Sequence, residues 1–147
     1  MTQIKIELLQ LELEGLQLAA GHLAYSLARC RDLIGVTSLP LEQLERLESL
    51  TSRYARLADL LTQRIFRLVD DIELNSNSSL LDRIYRAEKR GWGNSFDIIK
   101  IRELRNLIAH EYSNEQMVEI YAAVASLSPI LLNIVAAVTS YANTLHR

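Results

Sequence analysis

The sequence predicts an all-α protein, an up-and-down antiparallel helical bundle of four main helices plus one shorter helix. Three observations carry this. Apolar residues recur at spacings of three and four over long stretches. Only 5 Gly and 2 Pro punctuate 147 residues, too few for the turns of a many-stranded sheet protein. The breaks between periodic stretches are short, which makes successive helices neighbours. With 49% hydrophobic and 23% charged residues and no polar low-complexity tract, residues 1–147 have the size and makeup of one globular domain.

Each element follows from its own residues. Residues 2 to about 34 carry Ile4, Leu8, Leu11, Leu18, Leu23 and Leu27 near the helical period and read as one long helix. Gly15 and Gly21 lie inside it, each costing about 1 kcal/mol against Ala, which suggests a bend or a close helix contact. Gly35 and then Pro40 stop it. The second helix covers about 41–72, with Leu44, Leu47, Leu50, Tyr54, Leu57, Leu61, Ile65 and Leu68 on one face and charges on the other. Asn75-Ser76-Asn77-Ser78 is a turn, and Ser79 followed by Asp82 caps a short third helix to about Arg90. After the break Gly91-Trp92-Gly93-Asn94, Ser95 is placed to cap a fourth helix from Phe96 to about Glu111. Ser113 with Gln116 forms a capping box for a fifth, reaching Leu145, in which Pro129 predicts a kink or short break near Ser128.

Composition narrows the function classes. Sixteen Lys and Arg against 18 Asp and Glu give a net charge of −2, which does not advertise nucleic-acid binding but leaves room for a local basic patch. One cysteine, Cys30, makes neither an internal disulfide nor a cysteine-based zinc site. The first ten residues carry an acidic residue, Glu7, beside Lys5 and lack the basic and then apolar order of a signal peptide. The apolar stretch Ile130 to Val138 is interrupted by Asn133 and falls far short of about 20 residues, so no membrane span is predicted and a cytoplasmic location is expected. No phosphate-binding glycine loop, paired-histidine metal motif or nucleophile elbow is present, and no metal or cofactor is expected.

What chemistry remains gathers near residue 105. His22 and His146 are isolated, and Cys30 reads as a small core residue. Trp92 reads as a cover for the bundle end, with base stacking as the alternative. His110 lies in Arg105-Asn106-Leu107-Ile108-Ala109-His110-Glu111-Tyr112. From Arg83 to Arg105 seven basic residues stand against three acidic ones, and Arg102 and Lys100 in this segment are candidate phosphate contacts. At about 100° per residue, Ile101, Leu104, Ile108 and Tyr112 form a core stripe, while Arg105 and His110 diverge by about 140° on an ideal helix. For both to meet one substrate, the arginine must reach around, the helix must end near His110, or a second subunit must complete the site. A two-fold dimer opposing two such helices would supply two histidines for acid and base work and two arginines for phosphate charge.

The segment Arg105 to Tyr112 resembles the R-x4-H-x-Y signature of HEPN proteins, in particular the HepT-like branch. A polar residue after the arginine, here Asn106, suits that signature, and so does its position at the end of the penultimate helix of a HEPN-like bundle. The resemblance implies a metal-independent endoribonuclease toxin of a HEPN and MNT toxin–antitoxin pair. Its active site would be formed at a homodimer interface by Arg105, Asn106 and His110 of both chains, leaving a cyclic phosphate end on the RNA. The partner it implies is an MNT-family minimal nucleotidyltransferase antitoxin, which in this branch can transfer AMP to the tyrosine of the H-x-Y element, here Tyr112. The wheel places Tyr112 on the core stripe, an inaccessible position unless the helix ends by His110. One alternative is a non-catalytic helical binding partner of a minimal nucleotidyltransferase. Another is a purely structural dimer joined through the stripes of the two long helices.

Overall fold

The computed structural model describes residues 2–75, 77–110 and 113–145. Helix α1 spans Thr2–Cys30 and ends in a short 3-10 turn, Arg31–Leu33. Gly35 then takes φ 84°, a left-handed conformation that suits glycine, as the sequence expectation requires. The second helical rod runs without a break from 41 to 72 but is not uniform: α2 (Leu41–Asp59) passes into a π-helical turn (Leu60–Ile65) and then α3 (Phe66–Ile72). Helix α4 is Leu80–Lys89, α5 is Ser95–Ile108 and α6 is Asn114–Ala142. Among the described residues every regular element is helical, so the all-α bundle stands.

The caps explain where elements begin. Ser79 and Asp82 form a reciprocal capping box at α4, and Ser113 and Gln116 another at α6. At α5 the expectation is corrected: Asn94, not Ser95, is the N-cap, its side-chain oxygen accepting from the Asp97 N–H at 2.8 Å. Gly93 beside it is required by close approach, because a Cβ there would lie 2.9 Å from Cγ1 of Ile134. Pro129 does not break α6, which continues through it. The Ser128 hydroxyl donates to the Val124 carbonyl at 2.6 Å, a back-bond that satisfies this buried hydroxyl beside the proline.

The core lies between α1, α2 and α6, with α5 packed on α2 and α6. Helix α1 inserts Ile6, Leu9, Leu13, Leu16, Ala20, Leu23, Leu27 and Cys30. Of the apolar residues that signalled this helix in the sequence, Leu23 and Leu27 are buried, whereas Ile4, Leu8, Leu11 and Leu18 are exposed. Helix α6 is long and apolar enough, by length and composition only, to cross a membrane. Here it supplies Ile120, Val124, Leu131, Ile134, Val135 and Val138 to the bundle interior. A buried hydrogen bond from the Tyr54 hydroxyl to the Ile101 carbonyl, 3.0 Å, ties α2 to α5 and fixes where α5 sits.

Candidate functional site

Ile98, Ile101 and Leu104 are buried against the bundle, which leaves Arg102 and Arg105 on the flank of α5 that faces the end of α2. Asp59, the last residue of α2 before the π turn, meets them there. Its Oδ1 accepts from Nε of Arg105 at 2.7 Å and from Nη1 of Arg102 at 2.7 Å, and its Oδ2 accepts from Nη2 of Arg105 at 2.9 Å. The Arg105 contact is a two-point fork, which fixes the plane of the guanidinium as well as its position. Burial by itself raises the Asp59 carboxyl, but the hydrogen bonds and charges of the two arginines outweigh it and hold the group below its ordinary value. Arg105 is raised in turn, chiefly by its bond to Asp59.

These residues line one side of an open groove of about 580 Å³ bounded by Arg56, Asp59, Leu60, Gln63, Arg64, Arg102 and Arg105. Four guanidinium groups line it with one carboxylate, and Arg64 also lies 3.7 Å from Glu12 of α1, which leaves a net positive field suited to a phosphate-bearing ligand. The Arg102 side chain is 14% exposed and that of Arg105 30%, so Arg105 presents the larger face to solvent. The π turn supplies Leu60, Gln63 and Arg64 to the groove; π turns widen a helix locally and recur at functional sites.

The remaining candidates fall around this groove unevenly. Asn106 is exposed on α5 directly after Arg105. Helix α5 stops at Ile108, short of the expected Glu111. The Ala109 N–H donates to the Asn106 carbonyl at 3.3 Å and the His110 N–H to the Leu107 carbonyl at 3.1 Å. His110 is therefore an exposed residue in the bend beyond the helix, so the ideal-helix divergence from Arg105 does not apply to it. Tyr112, the expected modification site, lies outside the described residues. Lys100 is exposed with its ammonium 4.3 Å from the ring centroid of Phe96, and it is not among the groove residues.

The basic excess from Arg83 to Arg105 is also divided, because three of its seven basic residues are structural. Asp70, 1% exposed, is paired with Arg86 at 3.1 Å and Arg90 at 2.9 Å, and Arg90 reaches Glu73 at 2.8 Å. The buried Arg83 donates to the Ser78 carbonyl at 2.8 Å. Trp92 is buried, not displayed: its ring lies 5.3 Å from Phe66 and 5.2 Å from Tyr141, with the Arg90 guanidinium 4.9 Å over it. It closes the bundle end, as the sequence reading favoured. Cys30 is a core residue whose thiol contacts the Arg46 carbonyl at 3.2 Å.

Sequence reasoning missed Asp59, Arg56, Gln63 and Arg64. Their signal was the polar stripe at 56, 59, 63 and 64 of the second helix, which reads as an ordinary solvated face until α5 is packed beside it. Among the described residues, no group of three or more His, Cys, Asp or Glu side chains is placed to hold a metal ion. Comparison of the chain with protein-family models, with curated proteins and with solved structures finds no match.

Proposed function

We propose that this chain is a HepT-like HEPN endoribonuclease toxin that acts as a homodimer in the cytoplasm without a metal or cofactor. A minimal nucleotidyltransferase antitoxin restrains it, with Tyr112 as the acceptor of AMP. The observation that carries the reading is the arrangement at the end of α5. Arg105 is held in a defined plane by Asp59 inside a basic groove, and Asn106 and His110 follow it at and beyond the helix end. In the proposed reaction the RNA 2′-oxygen attacks the adjacent phosphorus and loses its proton to one histidine. The P–O5′ bond breaks, the leaving oxygen takes a proton from a second histidine, and a 2′,3′-cyclic phosphate remains. Each chain brings one His110, so two chains supply the acid and the base. Arg105 offsets the charge that develops on the phosphoryl oxygens, and Asn106 orients the phosphate. Arg102 joins Arg105 in holding the backbone of the RNA, with Lys100 at the approach.

Purified wild type and His110→Ala are to be incubated with total cellular RNA in EDTA, after mass spectrometry confirms that Tyr112 is unmodified. Cleavage by the wild type and none by the variant is the expected result. An unmodified, dimeric wild type that leaves RNA intact overturns the reading. One observation favours a second reading, in which the chain is a non-catalytic partner of a nucleotidyltransferase: Asp59 already engages both Arg102 and Arg105. In that case Asp59→Ala and His110→Ala leave the chain equally inert toward RNA, and the groove serves as a docking surface.

A further inference from the structure

Between the start of α1, the end of α3 and the turn into α4 lies a second pocket, of about 470 Å³, lined by Lys5, Arg67, Asp71, Asn77, Ser78 and Arg83. It shares no residue with the groove at Arg105. Antiparallel packing builds two of its sides. Glu12 of α1 meets Arg64 at 3.7 Å, so Lys5, two turns earlier in α1, comes beside Arg67 and Asp71 further along the second rod. Helix α4 supplies the third side with Arg83, one turn after its N-cap Ser79.

Arg83 is 5% exposed, yet among the described residues it makes no ion pair. Its Nη1 donates to the Ser78 carbonyl, and its Nε has no hydrogen-bond partner in the chain. One bond to a carbonyl holds the side chain in place but does not neutralise a charge. A buried guanidinium is ordinarily matched by a carboxylate, as the nearby Arg90 is by Asp70 and Glu73. Asp70, whose charge favours the Arg83 cation, is already engaged by Arg86, Arg90 and the Ser78 hydroxyl. Burial first, then the charge of Arg67, then those of Arg86 and Arg102, hold Arg83 below its ordinary value in spite of Asp70. Arg67 and Lys5 are likewise bridged to no carboxylate, and Asp71 is bridged to neither. Three cations therefore converge on a pocket whose one carboxylate pairs with none of them.

The excess charge names the ligand. Three cations against Asp71 leave the pocket at +2. A phosphate monoester carries about two negative charges near neutral pH and three strong acceptor oxygens, which matches the pocket both in charge and in the number of cationic side chains; a carboxylate supplies half the charge. The volume is that of a small-ligand site, with room for the phosphate and the group that bears it. We propose that this pocket binds a phosphate monoester, with Arg83 as the buried anchor and Arg67 and Lys5 closing on it from the rim. The inference does not rest on the ribonuclease reading, since the two sites have no residue in common. The monoester is carried either by a small molecule or by the 5′ end of a nucleic-acid strand.

Thermal melts of the full chain are to be run in methyl phosphate, in dimethyl phosphate and in sodium chloride at one ionic strength. The melting temperature is expected to rise with methyl phosphate, because a ligand of the folded state alone stabilises it, and to rise less with the singly charged diester. Titration followed by NMR gives the affinity. It is expected to fall about 10- to 100-fold in Arg83→Gln and in Lys5→Gln/Arg67→Gln, the scale of a lost hydrogen bond to a charged group. Circular dichroism checks folding, and the double variant, at less buried positions, carries the test if Arg83→Gln does not fold. Arg105→Gln is expected to bind as the wild type does. A melting temperature no higher in methyl phosphate than in chloride overturns the proposal. So does an affinity that falls with Arg105→Gln and not with the pocket variants, since the phosphate would then sit in the groove. A DNA hexamer with a 5′-phosphate, set against the same strand with a 5′-hydroxyl, separates the two sources; without 2′-hydroxyls it is no substrate for the proposed cleavage. Tighter binding of the phosphorylated strand than of methyl phosphate assigns the pocket to strand ends, and equal or weaker binding assigns it to small esters.

Discussion

Asp59 governs what Arg105 can do. A long arginine side chain left in solvent samples many rotamers, and a fork to one carboxylate selects a single plane before any ligand arrives. Asp59→Asn weakens this fork while making the groove more positive. Under the proposed function, its expected effect is therefore split: kcat falls by about 10- to 100-fold, the scale of a misplaced catalytic contact, while KM is unchanged or lower. Steady-state kinetics on a defined RNA checks the split, and a loss confined to KM would instead make Asp59 part of the binding surface. The pair also sets a pH dependence of stability. Because the folded state holds the Asp59 carboxyl below its ordinary value, its contribution is fully present above the unfolded value of about 3.9 and is lost as pH falls through the lower, folded value. The wild type is accordingly expected to melt above Asp59→Asn near neutral pH, with the gap closing in strong acid. Thermal melts of both proteins across that range test it.

At the scale of elements, the sequence was most informative where local chemistry decides. Two capping boxes, the glycine stop at Gly35 and the extent of the second helical rod were legible because each depends on side chains within a few residues of one another. Three features were not. The cap of α5 passed from Ser95 to Asn94, two residues that cap equally well and differ only in where the close approach of Gly93 to Ile134 sets the turn. The π turn at Leu60–Ile65 leaves no mark in a pattern of threes and fours, yet it brings Gln63 and Arg64 to the groove. In α1 the wrong stripe drew notice, because two rows with the same period cannot be told apart until one is covered. Two substitutions test the contacts that seat α5. Tyr54→Phe removes its bond to the Ile101 carbonyl, which keeps its partner within α5, a loss of about 0.5–1.5 kcal/mol. Gly93→Ala drives a methyl into Ile134 and is expected to cost about 1–3 kcal/mol by overpacking. Urea unfolding of each against the wild type measures both, and a neutral Gly93→Ala would mean that the loop yields without cost.

Across the whole molecule, the helical class and the single bundle followed from periodicity and short connections, since burial of one apolar face per helix leaves few other solutions. The site was only partly legible. Arg105, Asn106 and His110 share one segment, so a motif reveals them, whereas Asp59 lies 43 residues from Arg102 and 46 from Arg105 and is joined to them only by packing. The local basic excess misled for the same reason: three of its seven basic residues are spent internally on Asp70, Glu73 and the Ser78 carbonyl. One of those internal charges, Arg90, covers the single tryptophan of the chain. Trp92 sits where α3, α4 and α6 converge, dry, against two aromatic rings and beneath a guanidinium. Its fluorescence is therefore the signal of one joint alone. The emission of the native protein should be blue-shifted and should move to the red only when that joint opens, while circular dichroism follows the helices at large. If the two transitions coincide, the bundle unfolds as a unit; if the emission moves first, the end closed by Trp92 is the place where unfolding begins.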